Sequence, residues 1–447
     1  MDACIVKTTC GDVKGYIEGE EVFFRGIPYA RTPRFELPEA YTWEGVFDAT
    51  QGETDCPQYS AFLDESQSGS FYYEEFRSGR EFTYSEEFMT LNIIAPKGAK
   101  NCPVLVFIHG GGHETGTVGE LPYGLCTEYA KRGIIYVSIG YRLNVFSLYD
   151  GRNFGLHDQI AAAYWIRDNI EAFGGNPEKI TLAGQSAGAM SITDLLYCQK
   201  LKGVIQGVIL ISGGGMVPKF AGPWTREQAK PFWQAVRTEA GAATEEEFKQ
   251  MPAEKIWHAW YKVSRRMKGF QAIQPSIDGE IITDVPQTVF ENRKESNVPI
   301  MIGVTSQDFL PVILYEQALR WGRDNARKGK ARVYGYFFDR VLPGKRFKAF
   351  HACDLWYLFG SMDECWRPFE PVDYELSKEM MDYVANFVRH ANPNGETSEG
   401  EKLPEWKAIN GLHKGFRLFD GESKGYIKPW KCRFKVVKTM LWDKGPM

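Results

Sequence analysis

Residues 184–188 read GQSAG, a serine flanked at two-residue spacing by glycines. The segment follows a short β-rich apolar run, KITLAG (179–184), and leads into a helical stretch, SAGAMSITDLLYCQ (186–199). Strand, sharp turn and helix in that order hold a serine in a strained backbone conformation and lift its Oγ above the strand ends. Small residues at Gly184 and Gly188 let strand and helix approach with no Cβ between them. The start of the helix favours negative charge building up beside Ser186. Ser186 is therefore read as a nucleophile for acyl transfer, against the plainer reading of a packing turn with a capping serine.

A second motif, HGGGH (109–113), closes the apolar run PVLVFIHG (103–110). Three successive glycines cost backbone entropy and free N–H groups to face a cavity. Donors from Gly111 and Gly112, with the N–H of Ala187 after the serine, suit a tetrahedral oxyanion. The competing reading is a flexible loop, which GQSAG downstream weakens.

Such a serine needs a base and an acid, and in a strand–turn–helix setting the chain order is Ser, acid, His. His351, His390 and His413 follow it at suitable positions. His390 ends an amphipathic stretch, SKEMMDYVANFVRH, and His413 lies in a polar turn. His351, in KAFHACDLW, stands beyond the end of the run RVYGYFF (332–338) and is chosen as the base. For the acid, Asp308 follows PIMIGVT (299–305). Asp278, in the turn PSIDGE, and Asp339, directly after RVYGYFF, are its competitors. Asp308 would fix the His351 tautomer and stabilise the imidazolium.

These groups need a scaffold. From residue 90 short apolar runs alternate with helical stretches: TLNIIAP, PVLVFIHG, IIYVSIGY, KITLAG, GVILISG, PIMIGVT and RVYGYFF. Strands apolar on both faces belong in a sheet covered by helices on both sides. The alternation predicts an α/β fold with a mostly parallel, doubly wound sheet. The helix DQIAAAYWIRDNIEAF (158–173) is expected to stop at Gly174-Gly175. Before residue 90, period-two alternation predicts an antiparallel meander, and the acidic, aromatic stretch 57–88 reads as a long surface loop. Residues 215–285 break the rhythm and read as a helical insertion over the strand C-terminal ends.

Composition narrows the function classes. The 447 residues are 43% hydrophobic and 25% charged, an ordinary globular balance, and the formal net charge is −4. With no long basic run, nucleic-acid binding has little electrostatic support. No apolar run reaches the roughly 18 residues that cross a bilayer. The start, MDACIVKTTCGDVKGY, lacks the basic and apolar regions of a signal peptide. Nine irregularly spaced cysteines without a C-x-x-C pair argue against a disulfide framework or a zinc site, and suit free thiols in the cytoplasm.

Taken together, these motifs resemble the type-B carboxylesterases, the family that includes the cholinesterases. The resemblance runs through FRGIPYA (24–30), SEEFMTLNIIAP (85–96), HGGGH, GYRLNVF (140–146), the continuous segment 153–191, GVTSQDF (303–309), FHACDLWYLFG (350–360) and NPNGE (392–396). It implies one α/β-hydrolase domain over residues 1–447, with helical insertions above the strand ends. It also implies a triad of Ser186, Asp308 and His351, an oxyanion hole of Gly111, Gly112 and Ala187, and hydrolysis of carboxylic esters through an acyl-enzyme. No cofactor or metal is expected, the partner is a small-molecule ester, and oligomeric state stays open.

The departures from the family pattern bear on the pocket. Phe88 stands where the family usually has a cysteine paired with the counterpart of Cys56. Gln185 replaces the frequent glutamate before the serine, Asp308-Phe309 replaces Glu-Gly, and His113 replaces a frequent phenylalanine. With Gln185 uncharged and no tryptophan in 57–88, the resemblance points away from choline esters. His113, Gln185, Phe309 and Phe350 are candidate pocket residues, as are Trp224 and Trp260, with plain core packing as the alternative for the aromatics. An amidase or peptidase with the same triad, and a non-catalytic binding homologue, are the competing functions.

Overall fold

The computed structural model describes residues 2–63, 70–214, 222–267, 270–292, 294–309, 311–344, 347–413, 415–422, 425–427 and 431. β1 (Asp2–Thr8), β2 (Gly11–Glu18) and β3 (Glu21–Pro28) form the antiparallel meander expected from the alternating N-terminal pattern. β4 (Ala30–Arg31) and β5 (Glu39–Ala40) pair separately, and β6 (Val46–Asp48) lies parallel to β2.

The seven apolar runs become β7 (Thr90–Pro96), β8 (Cys102–Ile108), β9 (Ile135–Ile139), β10 (Gly175–Gln185), β11 (Gly207–Ile211), β12 (Ile300–Thr305) and β13 (Val333–Phe338). β14 (Phe416–Phe419) and β15 (Tyr426–Ile427), unforeseen in the sequence, complete the edge. Strand order is β1-β2-β3-β7-β9-β8-β10-β11-β12-β13-β14-β15, parallel from β9 through β14. Along β8, Val104, Val106 and Ile108 enter one hydrophobic core, while Leu105 and Phe107 enter a second on the opposite face. Burial on both faces explains why these strands read as unbroken apolar runs.

Helices cover both faces: α1 (Phe71–Phe76), α2 (Phe154–Asn169), α3 (Ala187–Cys198), α4 (Arg226–Ala240), α5 (Ala253–Arg266), α6 (Pro311–Arg327), α7 (Leu355–Phe359) and α8 (Pro371–His390). α2 passes through a single 3-10 turn, Ile170–Phe173, and stops at Gly174 with φ 84°, the left-handed cap that glycine adopts without a Cβ clash. At its other end Asp158 is buried and holds the Arg142 guanidinium by two bonds of 2.8 and 2.5 Å. That pair ties the loop after β9 to α2.

The stretch 57–88 is not simply a surface loop. It contains α1, whose Phe71, Glu75 and Phe76 are buried. Glu75 belongs to the acidic stretch read as a surface loop. In the fold it meets the fully buried Arg367 at 2.7 Å (Nε) and 3.0 Å (Nη2), with Trp356 and Trp366 indoles donating at 3.2 and 3.1 Å. These bonds supply the compensation that a buried carboxylate requires.

α4 and α5 lie between β11 and β12, where the insertion was expected, although 215–221 and 268–269 fall outside the described residues. Arg265 near the end of α5 reaches both carboxylate oxygens of Glu114, at 2.8 and 3.2 Å, just past HGGGH.

Candidate active site

Ser186 sits between β10 and α3 with φ 52° and ψ −119°, a conformation that costs a non-glycine residue of order 1–3 kcal/mol. The surroundings over-determine it. Its N–H donates to Ile211 O of the neighbouring strand at 2.8 Å. A Cβ on Gly188 would strike the carbonyl oxygens of Ile108 and His109, and one on Gly184 would strike the Gly188 backbone. Only glycine at both places lets α3 seat this close to the sheet.

Asp308 and His351 are brought in by the loops after β12 and β13. Gln307 N–H donates to Ala349 O at 2.8 Å, and the Gln307 side chain accepts from Lys348 N–H at 3.0 Å, so the loops after β12 and β13 are stitched together. His351 Nδ1 then lies 2.6 Å from Asp308 Oδ1, and both residues are buried. Asp308 also accepts from Phe309 N–H at 2.9 Å and from the Thr305 N–H and hydroxyl, each at 3.3 Å.

On the far side of the ring, His351 Nε2 is 3.1 Å from Gln185 Nε2, while Ser186 Oγ hydrogen-bonds none of the described residues. The ring face is covered by Phe309, centroids 4.3 Å apart. The other acid candidates lie elsewhere. Asp278 caps the N–H groups of residues 280–282, and Asp339 continues β13 with its N–H on Phe419 O. His390 ends α8, and His413 packs edge-on against Tyr426.

Ser186, Asp308, His351, Gly111, Gly112 and Ala187 border one cavity of about 790 Å³. Gly111 has φ 102° and Gly112 φ 67°, and the loop is tightened by Glu114 and Thr115 N–H groups donating to Gly111 O, each at 3.0 Å. Ala187 is the first residue of α3, so its N–H has no partner within the helix. His113, Gln185 and Phe309 also border the cavity. Burial lowers the His113 imidazole to about 4, and its Nε2 has no partner among the described residues. His109, stacked on Tyr141, is likewise held at about 4 by burial.

Three aromatic candidates do not line this cavity. Phe350 is fully buried against Phe71 and does not border the cavity; its backbone aims it into the core while the next residue, His351, faces the site. Trp224, partly buried, packs on Phe232 against the core, and Trp260 borders a smaller neighbouring pocket with Tyr261. Sequence reasoning missed the actual apolar walls: Tyr72 and Phe76 from α1, Met190 from α3, Ile313 and Leu314 from α6, and Leu355 from α7.

It also missed Asp354, fully buried three residues after His351. Burial pushes this carboxyl up to about 7, and Tyr336 Oη donates to it at 2.8 Å. Two carboxyls therefore stand near the imidazole, one hydrogen-bonded to it and the other turned away. The signal available was a second acidic residue one helical turn beyond the chosen histidine.

A serine raised on a strained turn at the end of a parallel strand, beneath a glycine-rich loop and beside a histidine–carboxylate pair, places the molecule among the α/β-hydrolases. Residues 2–323 and 312–434 match the carboxylesterase family, and the chain belongs to it. It is a carboxylic ester hydrolase. It is 34% identical to the para-nitrobenzyl esterase of Bacillus subtilis (strain 168), over 88% of this chain and 91% of that one. With liver carboxylesterase 1 of Oryctolagus cuniculus it shares 28% identity over 98% and 94% of the two chains. Among solved structures, a thermophilic PNB esterase superposes with a TM-score of 0.82 at 27% identity, covering 97% and 99% of the chains. The Geobacillus stearothermophilus carboxylesterase EST55 gives 0.78 at 26% identity, over 96% and 99%. No helix among the described residues is long and apolar enough to cross a membrane.

Proposed function

We propose that Ser186, His351 and Asp308 are the triad of this esterase, with Gly111, Gly112 and Ala187 as oxyanion donors. The observation that carries the assignment is the 2.6 Å contact of His351 Nδ1 with Asp308 Oδ1, in the same cavity as a serine held at φ 52°. Asp308 keeps the proton on Nδ1, so Nε2 presents the lone pair that removes the serine proton. Ser186 Oγ attacks the ester carbonyl, the oxyanion settles on the three N–H groups, and the imidazolium returns its proton to the departing alcohol oxygen. Water, deprotonated by the same ring, then releases the acid from Ser186.

The predominantly apolar walls favour neutral esters with aryl or medium-chain arms over charged ones. The name of the Bacillus relative makes para-nitrobenzyl esters a sensible first substrate. A cytoplasmic location belongs to the same reading and rests on the cysteine spacing. Cys56 is consistent with it, being buried as an acceptor for Leu143 N–H at 3.4 Å.

The test is a panel of esters of graded acyl length with matched anilides, together with labelling by a fluorophosphonate. Wild type is expected to hydrolyse esters far faster than anilides and to be labelled at Ser186, and Ser186→Ala is expected to lose both while melting normally. Undiminished hydrolysis by that variant would overturn the nucleophile, and comparable anilide rates would favour an amidase.

A further inference from the structure

Gln185 is the last residue of β10, buried at the edge of the catalytic cavity, and its amide meets the imidazole rather than open space. Asp308 accepts every other hydrogen bond it makes, from Phe309 and Thr305, so its contact with His351 is that of a carboxylate receiving Nδ1–H. A neutral imidazole so arranged has one acceptor left, Nε2. The Gln185 amide N–H donates to that atom at 3.1 Å. The proton on Ser186 Oγ needs the same lone pair.

We propose that Gln185 is a positioning residue that occupies the His351 lone pair between turnovers and yields it to Ser186 when substrate binds. The inference rests on His351 being the base. During attack the Oγ–H bond breaks, an Nε2–H bond forms, and that proton later passes to the alcohol oxygen; Gln185 exchanges none. Once the ring is protonated, Nε2–H becomes a donor, and half a turn of the amide offers Oε1 as acceptor. Gly110 leaves room for the amide where it stands, because a Cβ there would strike Gln185 Oε1. One uncharged side chain therefore serves both protonation states of the base. A glutamate in its place would serve only the imidazolium, and would favour it by charge.

Other titratable groups surround the ring from the packed elements. Asp308 comes from the loop after β12 and Asp354 from the loop of His351 itself, while Tyr72 on α1 and Tyr336 on β13 act on these carboxylates. None changes when residue 185 is substituted, so differences between variants report on residue 185 alone.

The experiment compares wild type, Gln185→Glu and Gln185→Met by two readouts. One is the pH dependence of kcat/KM for a para-nitrobenzyl ester. The other is the titration of the His351 ring by 15N NMR, its signals assigned with His351→Gln. An opposite charge at this distance shifts such a titration by about 1–3 units. The acid limb and the ring titration of Gln185→Glu are expected to move together to higher pH by about one unit or more, a loss of roughly tenfold in kcat/KM below the limb. Gln185→Met, which removes the donor to the neutral ring and the acceptor for the imidazolium alike, is expected to leave the midpoint near that of wild type and to move the Nε2 resonance of the neutral ring downfield, as loss of a hydrogen bond to that lone pair requires. Curves of Gln185→Glu that superpose on wild type would overturn the proposal. Should that variant fail to fold, a neutral-ring Nε2 resonance in Gln185→Met unchanged from wild type would do the same. If wild type hydrolyses no ester, the triad assignment falls, and the ring titration still decides what Gln185 does.

Discussion

The rings of Phe309 and His351 lie with centroids 4.3 Å apart at 31°, so the proposed base is covered on its face by the residue that follows its proposed acid. Phe309 is nevertheless half exposed, and its far side forms the mouth of the cavity. Aromatic pairs of this kind are worth about 0.5–1.5 kcal/mol. Phe309→Ala is expected to lower kcat roughly 2- to 10-fold, with little change in melting temperature because so much of the ring is already in water. Steady-state kinetics on a short acyl ester, whose KM depends least on the mouth, give the measurement; an unchanged kcat would make Phe309 a bystander.

Asp308→Asn tests the orienting role directly. The amide keeps the shape of the carboxylate but offers its N–H to Nδ1, which drives the ring proton onto Nε2 and removes the base. In triads with a serine nucleophile this exchange lowers kcat about 10⁴-fold. A loss of that order is expected here, with folding retained by circular dichroism, whereas a loss below tenfold would move the acid role elsewhere.

Asp354 carries a stability prediction. Burial pushes its carboxyl up to about 7, and its Oδ1 has no partner among the described residues, which suits a bound proton. The folded state thus keeps a proton that the unfolded chain releases near 4. The stability so gained is complete below about pH 4 and is lost as pH rises through about 7. Asp354→Asn, neutral throughout, escapes that loss. Between about pH 4 and 7 the melting temperature of wild type is expected to fall relative to the variant, then run parallel above. A constant difference across the range would rule the shift out.

The Glu75–Arg367 pair holds α1, and with it Tyr72 and Phe76 of the cavity wall. Removing one partner of a buried pair strands the other charge, at a cost of about 3–5 kcal/mol. Glu75→Ala is expected to lose that much in urea unfolding, and Glu75→Met with Arg367→Met together to recover most of it. A single-variant loss under about 1 kcal/mol would mean that water reaches the pair.

Local chemistry was legible wherever it is written in consecutive residues. The seven apolar runs are the central strands because burial on both faces demands apolar residues at every position. The serine turn and glycine loop could be read because their backbone conformations exclude most side chains. Phe309 and Phe350 show where this ends. Each adjoins a candidate catalytic residue and each was a candidate pocket wall, yet one opens onto solvent and the other is fully buried. Asp354 was overlooked because nothing in FHACDLW distinguishes a carboxylate turned toward Tyr336 from one in solvent.

What the chain alone determined is the scaffold and the identity of the residues that it presents, since strand, turn and helix arise from patterns a few residues long. Only the tertiary structure decided the partnerships: Gln185 with His351, 166 residues apart, and Glu75 with Arg367, 292 apart. Such pairs depend on which strand ends a sheet places side by side, and hydrogen bonds and buried charges act only at distances that the assembled fold sets.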